Sequence, residues 1–278
     1  MLCSIIPYTR SIDDGLVTYS LPDVYRPFVK IGSSVRIPWW KDEIIGLVAT
    51  IAKDIPYEWE LRDIIWPHCS VPWVSPSEIS LIIHLARQLF VRIHVVAQLF
   101  LPQGIFALFE HANFLELSSP VNPEHHRVDS TYTIAPNNEI LISHLRELLT
   151  KNPGAVIVPD GVSVKWWASA CDLPAIVDTH PKSLTSQKKI YLELLHQAFP
   201  VVFGTRRTLL KRLGYYQHIY VVHENLTKHI ALWLRQIPLW IMLEQLARAG
   251  HSIHYLTITP SIRTLTQFLQ GKKTIHYL

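Results

Sequence analysis

Phe199-Pro200-Val201-Val202-Phe203-Gly204-Thr205-Arg206-Arg207-Thr208-Leu209-Leu210, a short basic turn, and then His218-Ile219-Tyr220-Val221-Val222-His223-Glu224-Asn225 is the stretch on which the reading of this chain turns. Two apolar, β-type runs, Val201 to Gly204 and Ile219 to Val222, each stop abruptly at polar residues. Runs of this kind suit strands buried on both faces of a parallel sheet. In open α/β sheets ligands lie beyond the carboxyl ends of the strands. Thr205, Arg206, His223, Glu224 and Asn225 are therefore expected at a ligand edge.

Working outward, strand-like and helix-like segments alternate from Thr131 onward. Strands are expected near 131–134, 155–159, 175–178, 201–204, 219–222 and 253–257. Helices are expected near 139–150, 163–170, 183–198, 206–213, 228–249 and 261–270. That alternation predicts an α/β lobe with a doubly wound parallel sheet over residues 131–278. Upstream the pattern changes. Residues 1–72 hold short β runs at 2–6, 16–21, 34–38, 44–51 and 61–66, separated by turn residues, which predicts a small all-β barrel or sandwich. Residues 73–104 read as a helical module. Ser75-Pro76-Ser77-Glu78 is a start signal, and Ile79, Ile82, Ile83, Ala86, Leu89 and Phe90 follow at helical spacing. A second helix runs from Ile93 towards Pro102. The Pro-rich and polar residues 105–130 read as a linker.

Composition limits the function classes. The 278 residues are 49% hydrophobic and 17% charged, which supports sizeable cores and argues against disorder. A net charge of +4 permits nucleic-acid binding without requiring it. Cys3, Cys69 and Cys171 form no CxxC pair, so neither a zinc ribbon nor a disulfide framework is expected and a reduced, cytoplasmic setting follows. No signal peptide is recognisable. The most apolar segment, Ile79 to Leu101, is broken by His84, Arg87, Arg92 and His94, so no membrane partner is expected. The adjacent His125 and His126 read as a solvated loop rather than a metal site, since no third ligand is near.

These features together resemble the primosomal replication-restart helicases, the PriA family. At the N-terminus the resemblance rests on Tyr19-Ser20-Leu21-Pro22, Gly32, Val35-Arg36-Ile37-Pro38 and Gly46-Leu47-Val48. In the lobe it rests on Gly204-Thr205-Arg206 and on Thr259-Pro260-Ser261, which is similar to a helicase Ser-Ala-Thr-Pro-Ser element. The resemblance implies a β domain that captures the 3′ end of DNA, a winged-helix-like module over 73–104, and a RecA-like first helicase lobe. It implies DNA as partner, forked or single-stranded, together with other primosome proteins.

The departures matter as much. In the family the 3′-end pocket carries Phe-Asp before the Tyr and Phe-Gly after the Pro; here these are Val17-Thr18 and Trp39-Trp40. The lost carboxylate removes an acceptor for a terminal hydroxyl. Trp40 either fills the space of the terminal base or offers a new stacking face, and strand alternation would send one indole inward and the other outward. Tyr19, Arg36, Trp39, Trp40, Lys41, Arg87 and Arg92 are the candidate DNA-binding residues; Arg87, Arg92 and His94 are expected on an exposed face.

At the expected nucleotide site the sequence reads Thr131-Tyr132-Thr133-Ile134-Ala135-Pro136-Asn137-Asn138. A P-loop needs glycines, a Lys and a hydroxyl. Pro136 stands where a backbone donor is wanted, and Asn137 replaces the Lys. Val222, His223 and Glu224 replace the acidic box that holds Mg²⁺ and orients water. The expectation is a helicase homologue without ATPase activity and without a bound cofactor or metal. It acts in DNA binding linked to replication restart, or alternatively as a non-catalytic scaffold that has lost DNA binding.

Overall fold

The structure, a computed structural model, describes residues 1–9, 15–53, 61–67, 72–101, 130–179, 183–195, 199–211, 216–223, 239–248, 250–271 and 274–278. Residues 105–129 of the expected linker, His125 and His126 among them, lie outside them, as do Cys69, Glu224 and Asn225. The chain divides into two compact units, Met1–Asn122 and Pro123–Leu278.

In the first unit five antiparallel strands form one sheet in the order β2-β1-β4-β3-β5. They are β1 (Leu2–Pro7), β2 (Val17–Ser20), β3 (Ser34–Trp39), β4 (Asp42–Ala52) and β5 (Trp66–Pro67). The residues leading into β5 complete a barrel. Ser20 N–H donates to the Arg62 carbonyl (2.9 Å) and Ile64 N–H to the Ser20 carbonyl (3.1 Å), while Ile65 N–H donates to the Arg36 carbonyl (2.8 Å) on β3. The last segment is thus stitched to β2 on one side and to β3 on the other, which removes two open edges. Cys3, Ile5, Tyr19, Leu21, Val29, Val35, Ile37, Val48 and Ile64 fill the interior. Burial pushes the Cys3 thiol up to about 12, so it packs as a small neutral group.

Gly32 has φ +86°, and a Cβ there would run into the Val74 carbonyl, so this approach of chain to chain needs glycine. It brings the barrel to α1 (Pro76–Gln88), which opens as expected with a capping box between Ser75 and Glu78. α2 (Ile93–Phe100) follows. Two expectations fail here. His94 is buried rather than exposed, because α2 turns that side of its first turn inward, and Phe90 is 96% exposed rather than part of the apolar face.

The second unit is a seven-stranded sheet, every pair parallel, in the order β12-β6-β11-β10-β7-β9-β8. Its strands are β6 (Thr131–Ile134), β7 (Gly154–Ile157), β8 (Ile176–Val177), β9 (Val202–Gly204), β10 (His218–Val222), β11 (Ser252–Thr257) and β12 (Thr274–Tyr277). The helices are α3 (Asn138–Lys151), α4 (Gly161–Cys171), α5 (Leu184–Leu195), α6 (Leu239–Arg248) and α7 (Ile262–Gln270). This is the parallel α/β lobe that the strand–helix alternation predicts, consistent with the RecA-like lobe that the resemblance implies. The central strands are buried on both faces, and Leu141, Leu145, Leu149, Val164 and Trp167 from α3 and α4 cover one of them.

β12 has no counterpart in the sequence reading; its Thr-Ile-His-Tyr is too short and polar to announce a strand, and it is fixed by pairing with β6. The helix expected over 206–213 reduces, in the described residues, to a 3₁₀ turn at Thr208–Leu210. Side-chain bonds capture the turn first. The Thr205 N–H donates to Thr208 Oγ1 (3.1 Å), Thr208 Oγ1 donates to Asp178 (2.9 Å), and Lys211 Nζ reaches the same carboxylate at 2.7 Å. Gly204 is required by that turn, since a Cβ would strike the Thr208 side chain.

Candidate nucleic-acid interface

The barrel has a pocket of about 310 Å³ where β2, the β3–β4 hairpin and the closing segment meet. Val17, Thr18 and Tyr19 line it from β2, Pro38, Trp39 and Trp40 from the hairpin, and Leu61 and Arg62 from the segment before β5. Tyr19, Trp39 and Trp40, nominated from the sequence, therefore come together with Val17 and Thr18, the two residues at which the motif departs. Arg62 and Leu61 were not nominated. No motif marks them, and only barrel closure brings them beside β2.

Each wall has a local cause. Tyr19 is buried, and its hydroxyl donates to the Pro38 carbonyl at 2.9 Å, tying β2 to the end of β3. Burial raises the Tyr19 phenol above its ordinary range, with the nearby Arg62 charge pulling it back, so it stays a neutral donor. Trp39 pairs with Asp42 and packs on the barrel core. Its indole N–H is buried and has no acceptor among the described residues. Trp40 and Lys41 form the two-residue turn between β3 and β4. Trp40 has φ +52° and is 85% exposed. A positive φ at the first loop residue alone is the II′-like pattern that favours glycine there. A tryptophan at such a position is strained by roughly 1–3 kcal/mol, and strain of this kind gathers at ligand clamps.

The other nominated cations are placed differently. Arg36 lies on β3 and reaches Glu43 across the hairpin at 3.7 Å, so its charge is partly answered within the barrel. Lys41 is exposed at the hairpin tip next to Trp40. Arg87 is exposed near the end of α1, and Arg92 caps α2; neither lines the barrel pocket.

At the carboxyl edge of the lobe the structure gathers some of the residues expected at a degenerate nucleotide site and separates others. Asn137 caps α3, its side chain accepting from the Ile140 N–H at 3.0 Å, with Pro136 in the turn before it. Asn138 meets His223 Nε2 through its Oδ1 at 3.1 Å, and Trp167 sits edge-on to the His223 ring at 5.8 Å between centroids. His223 is itself left-handed at φ +52°, and burial lowers its pKa, favouring the neutral ring. Val222 is buried at the end of β10. Thr131, by contrast, lies at the amino end of β6, where its hydroxyl meets His254 at 2.8 Å. One N–H at the start of α3 is thus engaged by an asparagine cap, and His223 after β10 is tied to Asn138.

Of the residues expected as helicase-like elements, Gly204 ends β9, Thr205 accepts from the Arg207 N–H at 3.4 Å, and Arg206 is buried. Thr259 accepts from Thr257 through its carbonyl at 2.9 Å, Pro260 follows, and the Ser261 carbonyl accepts from Leu265 as α7 begins. No cluster of metal-ligating side chains occurs among the described residues. None of the described helices is long and apolar enough to cross a membrane.

Residues 6–102 match the family model of the PriA 3′DNA-binding domain (3′BD). The match begins at the end of β1, takes in the pocket and the α1–α2 pair, and makes this part of the chain PriA-like. No curated protein matches the chain.

Proposed function

We propose that this chain binds single-stranded or forked DNA ends through the barrel pocket, in replication restart, and does not hydrolyse ATP. The observation that carries this reading is the coincidence of the 310 Å³ pocket with the residues at which the 3′-end motif departs, inside the segment that matches a 3′BD. Trp40 supplies a base-stacking face, Lys41 and Arg62 supply phosphate contacts, and the Trp39 N–H, without an acceptor among the described residues, is a donor for an oxygen of the ligand. Thr18 offers only a hydroxyl in place of a carboxylate, so recognition of a free 3′-hydroxyl is relaxed. The domain boundaries that go with this reading are 1–72 for the β domain, 73–104 for a winged-helix-like accessory module, 105–130 for a linker and 131–278 for the lobe. Other primosome proteins are its protein partners.

Fluorescence anisotropy at low salt tests this. Oligonucleotides ending in a 3′-hydroxyl and in a 3′-phosphate bind about equally, and affinity falls as salt rises, by close to one unit of log–log slope per phosphate contact. Replacing Trp40 with Gly relieves the left-handed strain and raises thermal stability by about 1 kcal/mol. The same change weakens DNA binding by about 1–3 kcal/mol. Opposite signs for folding and binding separate a functional tryptophan from a packed one. Unchanged DNA affinity in this variant refutes the assignment, and no DNA binding at low salt leaves the scaffold reading in its place.

The lobe carries the second half of the proposal. Asn137 in place of Lys, Pro136 in place of a donor, and Val222 and His223 in place of the acids leave nothing to neutralise phosphates or hold Mg²⁺. Calorimetry with ATP and Mg²⁺ is expected to show no binding at micromolar concentrations. Micromolar affinity abolished by changing Asn137 would show the site to be alive.

A further inference from the structure

A second cavity lies on the same unit, lined by Gly15, Leu16, Ile83, Ala86, Arg87, Phe90, Val91 and Ile93. Its volume is about 660 Å³. Phe90 is its most conspicuous wall. The turn after α1 closes as a Schellman motif, with the Val91 N–H on the Ala86 carbonyl (3.1 Å) and the Phe90 N–H on the Arg87 carbonyl (3.3 Å). That geometry puts Phe90 at the left-handed position where helices favour glycine, and it has φ +52°. The ring is nonetheless 96% exposed, so core packing does not account for its presence. Arg87, one turn back on α1 and exposed, lines the same groove and forms an ion pair with none of the acids among the described residues.

The two cavities are neighbours along the chain. Gly15 and Leu16 line the Phe90 groove, and Val17, Thr18 and Tyr19, the next residues, line the Trp40 pocket. An extended chain advances at most ~3.6 Å per residue, so Leu16 and Thr18 are within about 7 Å of each other. Stacked nucleotides follow one another every ~3.4 Å along a strand. The strip 15–19 spans at most ~14 Å, the length of about four stacked nucleotides, so a strand that follows it passes from one cavity to the other.

We infer that the Phe90 groove is a second subsite for single-stranded DNA, holding a base a few nucleotides upstream of the 3′ end. Phe90 stacks on that base and Arg87 meets its phosphate, the pairing of ring and cation on which single-strand binding relies. Two glycine-favouring turn positions, 40 and 90, thus both hold exposed aromatics, one at each end of the strip 15–19. This inference rests on the DNA reading above and extends it from an end-binding pocket to a track.

Length dependence tests it with the full chain. Oligothymidines of increasing length, labelled at the 5′ end and carrying a free 3′-hydroxyl, are titrated at low salt. Affinity is expected to rise roughly five- to hundredfold once the strand is long enough to reach the groove, the worth of one stacked base. The Phe90→Gly variant, which suits the left-handed turn and so keeps the fold, loses that gain but retains the affinity of the shortest oligonucleotides. Arg87→Ala reduces the same gain. Trp40→Gly lowers binding at every length. If Phe90→Gly shows the wild-type gain with length, the inference is overturned, even though DNA binds; a groove made for an apolar peptide would give that result. If no oligonucleotide binds at all, the DNA reading itself has failed and the subsite falls with it. As an independent readout, 5-iodouracil placed upstream of the 3′ end is expected to crosslink to Phe90, and crosslinks confined to other residues overturn the assignment.

Discussion

Substituting Asp178 by Ala is expected to destabilise the lobe by about 3–5 kcal/mol, the cost of leaving a buried charge without its partner. Asp178 is fully buried at the end of β8, and Lys211 is nearly so, with Nζ 2.7 Å from the carboxylate. Burial pulls the Lys211 ammonium below the ordinary lysine range, and Asp178 pushes it back up, so the cation persists because the carboxylate is there. The Lys211 ammonium also lies over the Tyr191 ring, 5.3 Å from its centroid. Removing the acid strands the lysine and releases the Thr208 hydroxyl, and with it the turn that follows β9. Denaturant unfolding monitored by circular dichroism measures the loss. The double variant Asp178→Leu with Lys211→Met should recover most of it, because well-packed apolar replacements of a buried pair are often neutral. A single variant that unfolds within 1 kcal/mol of wild type would show that the pair holds nothing in place.

Acid is expected to weaken the lobe well before the carboxylates titrate. On one face of the sheet His254 is bonded through Nδ1 to Thr131 (2.8 Å) and through Nε2 to His218 Nδ1 (3.0 Å). It also stacks on Tyr220, with centroids 4.8 Å apart. Burial, reinforced by the neighbouring His218 and His144, lowers the His254 pKa to about 4. Burial lowers His218 and His144 as well. Unfolded, these rings take up protons near pH 6.5. The fold binds fewer, so stability is complete above pH 6.5 and is lost as pH falls towards 4. For His254 alone the loss approaches ~3 kcal/mol. Melting curves across this window are the check, with His254→Gln as the comparison, which should flatten the slope between pH 6.5 and 4. Equal slopes in the two proteins would place the acid sensitivity elsewhere.

The lobe was legible because its signal is local. Val-Val-Phe-Gly and Ile-Tyr-Val-Val are apolar runs of strand length that end at polar residues, and β9 and β10 lie where those runs do. Ser75 and Glu78 announced α1 for the same reason, since a capping box is written within one turn. What escaped the sequence was set by partners far along the chain. The 206–213 segment has helical composition, yet Asp178 holds Thr208 and Lys211 in another arrangement. β12 exists because β6 offers it an edge. Arg62 enters the pocket through barrel closure, which no spacing rule encodes. Phe90 fits the apolar spacing of α1 but falls two residues beyond the helix, where the turn directs it to solvent.

The barrel seam sorts the pocket's residues for anyone mapping it by mutation. Ser20, Arg62 and Ile64 hold β2 to the closing segment through their backbones, and Tyr19 crosses to Pro38 through its hydroxyl. The chain that lines the pocket is therefore also the chain that shuts the barrel. A substitution along this seam changes how much protein is folded and how well the remainder binds, and an affinity alone cannot apportion the two. Trp40 and Lys41, out on the hairpin tip, take no part in that closure. Scans of this domain should take their binding energies from the tip and use the seam positions as reporters of closure.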